Sequence, residues 1–394
     1  MILYLQFALR YFYKKGDRNF SSNAINLAII GLAIGVFSLL MTISVINGFE
    51  EVLSNKIIRV DGKIRLKTIL DSPIKESENL DALIISSNSG IKIKPYIRGS
   101  AILFKNKITE AIILEGVEYL NDYDETGNEK IFIEDDQIII GNSLGNNIDL
   151  GSNEILMIAA LSDFDGKPLT LKYNKLIVKG KFKTGMDEYD KSLAYVNIKT
   201  AQKLFKMKGM VSGYIINSNN ELDIFVDDLN EIIKYPYFIE SWKDRHQIIF
   251  QWINTQKLPI IIIFGLIALV GIINILATIS LMINEKGTEI AIMSAQGFKK
   301  NQIRKIYLMQ AGLVGLVGSL IGSFASFFCI YFQNKYKIIP LPGEVYFMDS
   351  LPVSFSYSIC IIVIIITFFI SIFSGFLPTR SIFKYKVSDL LAKE

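Results

Sequence analysis

Two cysteines, Cys329 and Cys360, are all that the 394 residues contain, and both fall inside apolar runs. No disulfide framework or cysteine metal site follows, so any polar domain must be held by core packing. The single histidine, His246, stands among Arg245, Gln247 and Ile248 without a Cys or second His to complete a metal site. It reads as a surface residue of a helix. Charge is scarce, at 20% of residues against 51% hydrophobic, and mean hydropathy is +0.35, which is too apolar for an ordinary soluble protein. No G-x-x-x-x-G-K-[ST] occurs, which excludes a P-loop nucleotide site, and no cofactor is implied. The carboxylate pairs Asp135-Asp136 and Asp227-Asp228 are adjacent, so their side chains diverge and read as solvated charges, not as an acid/base pair. No catalytic constellation emerges. The net charge of +4 needs no nucleic acid to explain it, because the Lys/Arg excess collects beside apolar runs.

What is abundant is apolar sequence, in four runs. Residues 21–49, 258–283, 308–332 and 354–377 are each long enough to span a bilayer, and none of these spans contains Asp, Glu, Lys or Arg up to Phe49. The first is too long for a signal h-region and reads as an uncleaved span. Ahead of it, residues 1–20 place Leu5, Leu9 and Phe12 near one helical face and end in basic residues, as an amphipathic helix on the inner membrane surface does. Residues 284–307 form a short loop in which Lys286, Lys299, Lys300, Arg304 and Lys305 outnumber Glu285 and Glu289, marking the cytoplasmic side. The basic tail, residues 378–394, lies on the same side. Ile290, Met293, Ile303 and Ile306 recur at helical spacing, and Gly297 can stop a first helix in a left-handed cap before a second begins. The loop is thus a helical elbow. Spans without an ionisable group argue against coupling to an ion gradient.

Within the spans, Gly31 and Gly35 form a G-x-x-x-G, and Gly312, Gly315, Gly318 and Gly322 fall within an arc of roughly 120°; both predict helix packing seams. The first span is expected to end in an Asn47-Gly48 cap, Pro259 to sit in the first turn of the second, and Asn274 to hydrogen-bond between helices.

Residues 50–257 contain no span-length run. Short β-type runs recur at 64–66, 91–97, 101–104, 111–114, 138–140, 155–158, 176–178 and 214–216, separated by Asn, Asp, Gly and Ser clusters. Helices are expected at 200–205 and, capped by Asn220, at 221–233. The fold class is therefore an α-helical membrane protein with four transmembrane helices and a large α+β extracytoplasmic domain inserted between helices 1 and 2. Residues 333–353 form a second outward loop.

The elbow pattern E-x-x-x-E-I-A-I-x-x-A-x-G, from Glu285 to Gly297, resembles the coupling segment of the FtsX/MacB/LolC class of ABC transporter permeases. Ser44-Val-Ile-Asn-Gly-Phe-Glu50, Gly180 to Gly185 with Glu188 to Asp190, Trp242 with Phe250, and Pro340 to Val353 are similar to the lipoprotein-releasing permeases of the LolC and LolE type. Ser294 and Phe298-Lys299 depart from that pattern. The resemblance implies a MacB-like permease architecture and a dimer of cytoplasmic ABC ATPase subunits, contacted through Glu285, Glu289, Ile290, Met293, Gly297 and Phe298. It also implies a second permease chain, identical or paralogous, an acylated lipoprotein substrate and a periplasmic lipoprotein carrier. The loop 163–174, with Phe164, Leu169 and Tyr173, stands where such permeases recruit the carrier or, alternatively, is an ordinary hairpin connection. Phe37, Asn47, Phe49 and Asn274 are expected at a cavity open to membrane lipids. Two other readings stay open: a MacB-like part in drug or toxin efflux and an FtsX-like regulator of a cell-wall hydrolase.

Overall fold

A computed structural model describes residues 20–76, 91–105, 108–121, 130–160, 173–218, 226–227, 229–231, 233–343 and 348–383. The expected amphipathic helix at 1–20, the tail beyond 383, most of the helix at 221–233, and Phe164 and Leu169 lie outside them. The chain divides into two compact units.

The first unit comprises residues 1–51, 252–340 and 350–394. Among the described residues, four helices are long and apolar enough to cross a membrane: α1 (Phe20–Asp61), α6 (Gln247–Glu285), α8 (Lys300–Tyr336) and α9 (Tyr357–Thr379). Two expectations need correction. Helix α1 does not end at Asn47-Gly48 but runs to Asp61, where Gly62 takes φ +74° and donates its N–H to the Ile58 carbonyl, a left-handed stop. Gly48 is a glycine for a different reason: a Cβ there would meet the Pro352 backbone at 2.7 Å. Pro259 lies inside α6 and not in its first turn, because the helix begins at Gln247.

The predicted glycine seams appear as packing surfaces. A Cβ at Gly312 would press on Phe368 and Ile372 of α9, and one at Gly315 on Ser371. Further along α8, Gly318 and Gly322 abut Leu32 and Ala33 of α1, so one glycine stripe serves two neighbours. Gly35 packs on Ile267 of α6, and Gly31 faces the Asn274 amide.

The second unit, residues 52–251 with 341–349, holds a nine-stranded mixed sheet. Its strands are β1 (Ile64–Thr68), β2 (Lys92–Lys105), β3 (Ile108–Val117), β4 (Gln137–Gly141), β5 (Ile155–Ala160), β6 (Tyr173–Phe182), β7 (Leu193–Asn197), β8 (Gly213–Asn217) and β9 (Tyr237–Ser241). Their order is β9-β1-β8-β2-β3-β7-β4-β6-β5, and β5 pairs back onto β2, closing six of them into a ring. Fourteen-residue β2 makes this possible: Lys92 to Tyr96 pair with β8, while Ala101 to Phe104 pair with β5. The runs at 91–97 and 101–104 are thus one strand. Pairs β3–β7 and β4–β6 are parallel and the rest antiparallel.

Inside the ring, Ile97, Leu103, Leu114, Ile138, Ile158 and Val178 are fully buried. The short helices α2 (Asn142–Asn147), α3 (Asp187–Ser192), α4 (Ile198–Leu204) and α5 (Trp242–Arg245) link the strands. Asn197 caps α4 through a bond from the Lys199 N–H, and Trp242 packs edge-on against Phe250 at 4.9 Å.

Candidate functional site

In the first unit the elbow is α7 (Gly287–Ala295), a turn, and the start of α8. Gly297 sits at φ +92°, its N–H on the Ser294 carbonyl, and Phe298 donates to the Met293 carbonyl. That closure satisfies the last carbonyls of α7, and an L side chain would strain it. The next helix begins with Gln302 accepting from the Lys299 N–H at 2.8 Å. Glu289 pairs with Lys286 at 2.7 Å, and Glu285 is exposed.

The elbow's apolar residues divide by face. Ile290 and Met293, expected at the partner contact, are instead buried within the chain, packed with Ile279, Ile283, Ile303, Ile306 and Ile382. Their job is to hold α7 against α6 and α8. Ile292, two residues after Ile290 and one before Met293 and so on another face, is 48% exposed beside exposed Thr288, Ala295, Gln296 and Gly297, with Phe298 half-buried at the edge. Positions 288, 292, 295 and 296 share one helical face, so the outward surface is an apolar and small-residue patch. The 3.6-residue period carries this information, since 290 and 293 share a face that 292 does not.

At the far end of α1, two sequence motifs meet. The Ser354 N–H donates to the Ser44 carbonyl at 2.9 Å, Pro352 covers Gly48, and Asn334 of α8 donates to the Val353 carbonyl. Lys257 of α6 pairs with Glu50 at 3.3 Å. Asn47 and Phe49 are half-buried in this region, and Phe37, also half-buried, accepts from Ser326 of α8 through its carbonyl. Phe37, Asn47, Phe49 and Asn274 are not among the residues that line the small cavity between the spans. That cavity, of about 70 Å³ between α1, α6 and α9, is lined instead by Gly31, Gly35, Phe264, Ile267, Gly271 and Ser371.

In the second unit Tyr173 opens β6, is 56% exposed and meets Phe104 edge-on at 5.2 Å. Sequence reasoning missed a charged centre there. His246 is no surface residue: its Nε2 lies 2.9 Å from Asp61 Oδ2 and 3.1 Å from the Tyr189 hydroxyl, which itself donates to Asp61 at 2.7 Å. Arg65 of β1 bridges Asp61 at 3.0 Å and Glu115 of β3 at 3.2 Å, and Arg98 of β2 reaches Asp61 at 3.0 Å. Burial alone would lower the Arg65 pKa, but Glu115 and Asp61 raise it well above the usual value; burial first, then Asp61, pushes Tyr189 up. The signal in the sequence was a charge inside apolar strands, Arg65 between Ile64 and Leu66 and Glu115 after Leu114.

Four apolar spans, a capped elbow between the second and third, and an α+β unit between the first and second are the architecture of an FtsX-like permease. Residues 261–387 match the family model for the FtsX-like permease C-terminal domain, which contains the elbow. Over nearly the whole chain the similarity narrows. The lipoprotein-releasing system transmembrane protein LolC of Xylella fastidiosa (strain 9a5c) is 22% identical over 98% of both chains, and LolC of Buchnera aphidicola subsp. Schizaphis graminum is 26% identical over 100% of this chain and 99% of that one. The LolE protein of Haemophilus influenzae is 22% identical over 92% of each. Over nearly its whole length the chain is thus similar to permeases of the LolC/LolE type, and with its four apolar helices it is a multi-pass protein of the inner membrane.

Proposed function

We propose that this chain is the membrane subunit of an ABC transporter that lifts lipoproteins out of the inner membrane and hands them to a soluble carrier. ATP is hydrolysed by a separate ATPase subunit docked at the elbow. The observation that carries the reading is end-to-end similarity to proteins named for lipoprotein release, spanning both units and not the membrane part alone. The basic elbow faces the cytoplasm in this reading, with both termini, and the large domain lies in the periplasm.

The elbow's construction supports mechanical coupling. Its inner face is fixed to α6 and α8 by Ile290, Met293 and Ile303, so a displacement of the outer face around Ile292 is passed to two spans together. α8 runs unbroken from Lys300 to Tyr336, and at its other end Gln333 donates to the Leu351 carbonyl in the outer loop. Moving an acyl chain out of lipid costs about 0.8 kcal/mol per methylene, so expulsion needs the ATP-driven stroke and an apolar acceptor.

Gly297→Pro tests this. Proline fixes φ near −65°, which the left-handed turn at Gly297 cannot accept. The variant should insert at wild-type levels yet lose ATP-dependent lipoprotein release from proteoliposomes containing the ATPase subunit and carrier. Unchanged release would remove the elbow from the mechanism.

A further inference from the structure

The charged centre of the second unit lies beside a cavity of about 610 Å³, and its buried charges do not balance. Three guanidinium groups, of Arg65, Arg98 and Arg245, face two carboxylates, of Asp61 and Glu115. Arg65 and Arg98 take both carboxylates, Arg65 with its Nε also on the Asp61 carbonyl. Arg245 gets neither. Its Nη2 donates to the main-chain carbonyls of Asp61 and Gly62 at 3.2 and 3.3 Å, while Nε and Nη1 are buried with no hydrogen-bond partner among the described residues. Burial first and the neighbouring Arg65 second pull its pKa below the ordinary guanidinium value, against the smaller opposing pull of Asp61 and Glu240.

The carboxylates at the cavity's rim make no hydrogen bond to Arg245 among the described residues. Glu240 and Asp71 lie on Lys67, each at 3.4 Å, Asp244 is held by Ser241 at 2.6 Å, and Glu188 is exposed. Leaving a buried guanidinium's donors unmet costs more than leaving a neutral group's, so the site favours a mobile acceptor carrying negative charge. Tyr96 and Ser212 complete a polar wall suited to oxygen ligands, and Arg98, 27% exposed, stands where an anion would enter.

We propose that this cavity binds a small oxyanion, a phosphate or a carboxylate, with Arg245 as its principal partner and Arg98 as its gatepost. The site is independent of whether the chain releases lipoproteins. Equilibrium dialysis of the detergent-solubilised full chain against labelled orthophosphate, at ionic strength held constant with chloride, should give saturable binding of one equivalent per chain. Competition by succinate then separates the sources: displacement at lower concentration than phosphate assigns a carboxylate, weaker displacement a phosphate. Arg245→Gln should weaken binding by about tenfold or more, and Arg245→Lys by less, since the charge is kept. Because either variant could unfold, the wild type supplies a second readout: orthophosphate should slow phenylglyoxal modification of Arg245, followed by mass spectrometry. Absence of saturable binding in wild type, equal affinity in folded Arg245→Gln, or modification of Arg245 at an unchanged rate overturns the proposal.

Discussion

Asp61 accepts from Arg65, Arg98, Tyr189 and His246, residues that the sequence separates by as many as 185 positions. Locally, only the charges of Arg65 and Glu115 inside apolar strands hint at such a centre. The α+β character of the region was legible because β-type runs announce themselves by composition, yet a polar cluster assembled from the end of α1, β1, β2, β3, α3 and the end of α5 exists only after the sheet closes. For that reason His246, read from its neighbours alone, looked exposed. The centre has a pH signature. Tyr189 has its pKa raised in the folded chain, by burial and then by Asp61, so above the unfolded value of about 10 the folded state holds a proton the unfolded state has released. Stability from this group is therefore full below pH ~10 and is lost as pH rises toward the folded pKa. Tyr189→Phe should lower stability at pH 8 by about 1–3 kcal/mol, because Asp61 loses a donor. It should also flatten the alkaline loss by up to about 1.4 kcal/mol per pH unit, read from denaturation series between pH 8 and 11. An alkaline slope identical to wild type would show that Tyr189 does not titrate in the way its contacts require.

At the scale of elements, the elbow shows what periodicity can and cannot deliver. The stop at Gly297 and the helix on each side were legible, since a glycine between two amphipathic stretches has one common use. Which apolar residue faces outward was not, because helical spacing defines a stripe without saying what the stripe covers. Ile290 and Met293 cover α6 and α8; Ile292 does not. Helix ends were misread at Asn47-Gly48 and Pro259 for a related reason: each looks like a boundary residue, and each is used inside a helix, Gly48 for close approach of Pro352. The two isoleucines should then part company under mutation. Ile290→Ala is expected to cost about 2–5 kcal/mol through cavity formation. Ile292→Ala should stay within about 0.5 kcal/mol of wild type in stability while weakening capture of the ATPase subunit in pull-downs from detergent. Full ATPase capture by a well-folded Ile292→Ala chain would place the docking face elsewhere on the elbow.

For the molecule as a whole, the four spans are unequally covered. The apolar window of Lys300–Tyr336 is 44% buried within the chain, that of Gln247–Glu285 only 11%. The second span, with Leu258, Ile261, Leu266 and Ile273 exposed, therefore has an apolar surface that the rest of the chain leaves to lipid or, in the proposed transporter, to a second permease chain. That asymmetry leaves the proposed carrier as the partner most open to direct test, because the proposal places its contact on the polar domain. Tyr173 stands at the exposed start of β6, directly after the stretch that holds Phe164 and Leu169. A photo-reactive amino acid at each of these three positions, in otherwise native full-length chains in cells, should trap a small soluble lipoprotein carrier. The yield should fall when lipoprotein synthesis is blocked, since cargo transfer is what brings the two together. Capture of an outer-membrane tunnel adaptor or of a cell-wall hydrolase would reassign the protein to efflux or to hydrolase control. In either case the coupling proposed for the elbow, whose construction rests on Gly297, Ile290 and Met293, would stand, and only the recipient of the stroke would change.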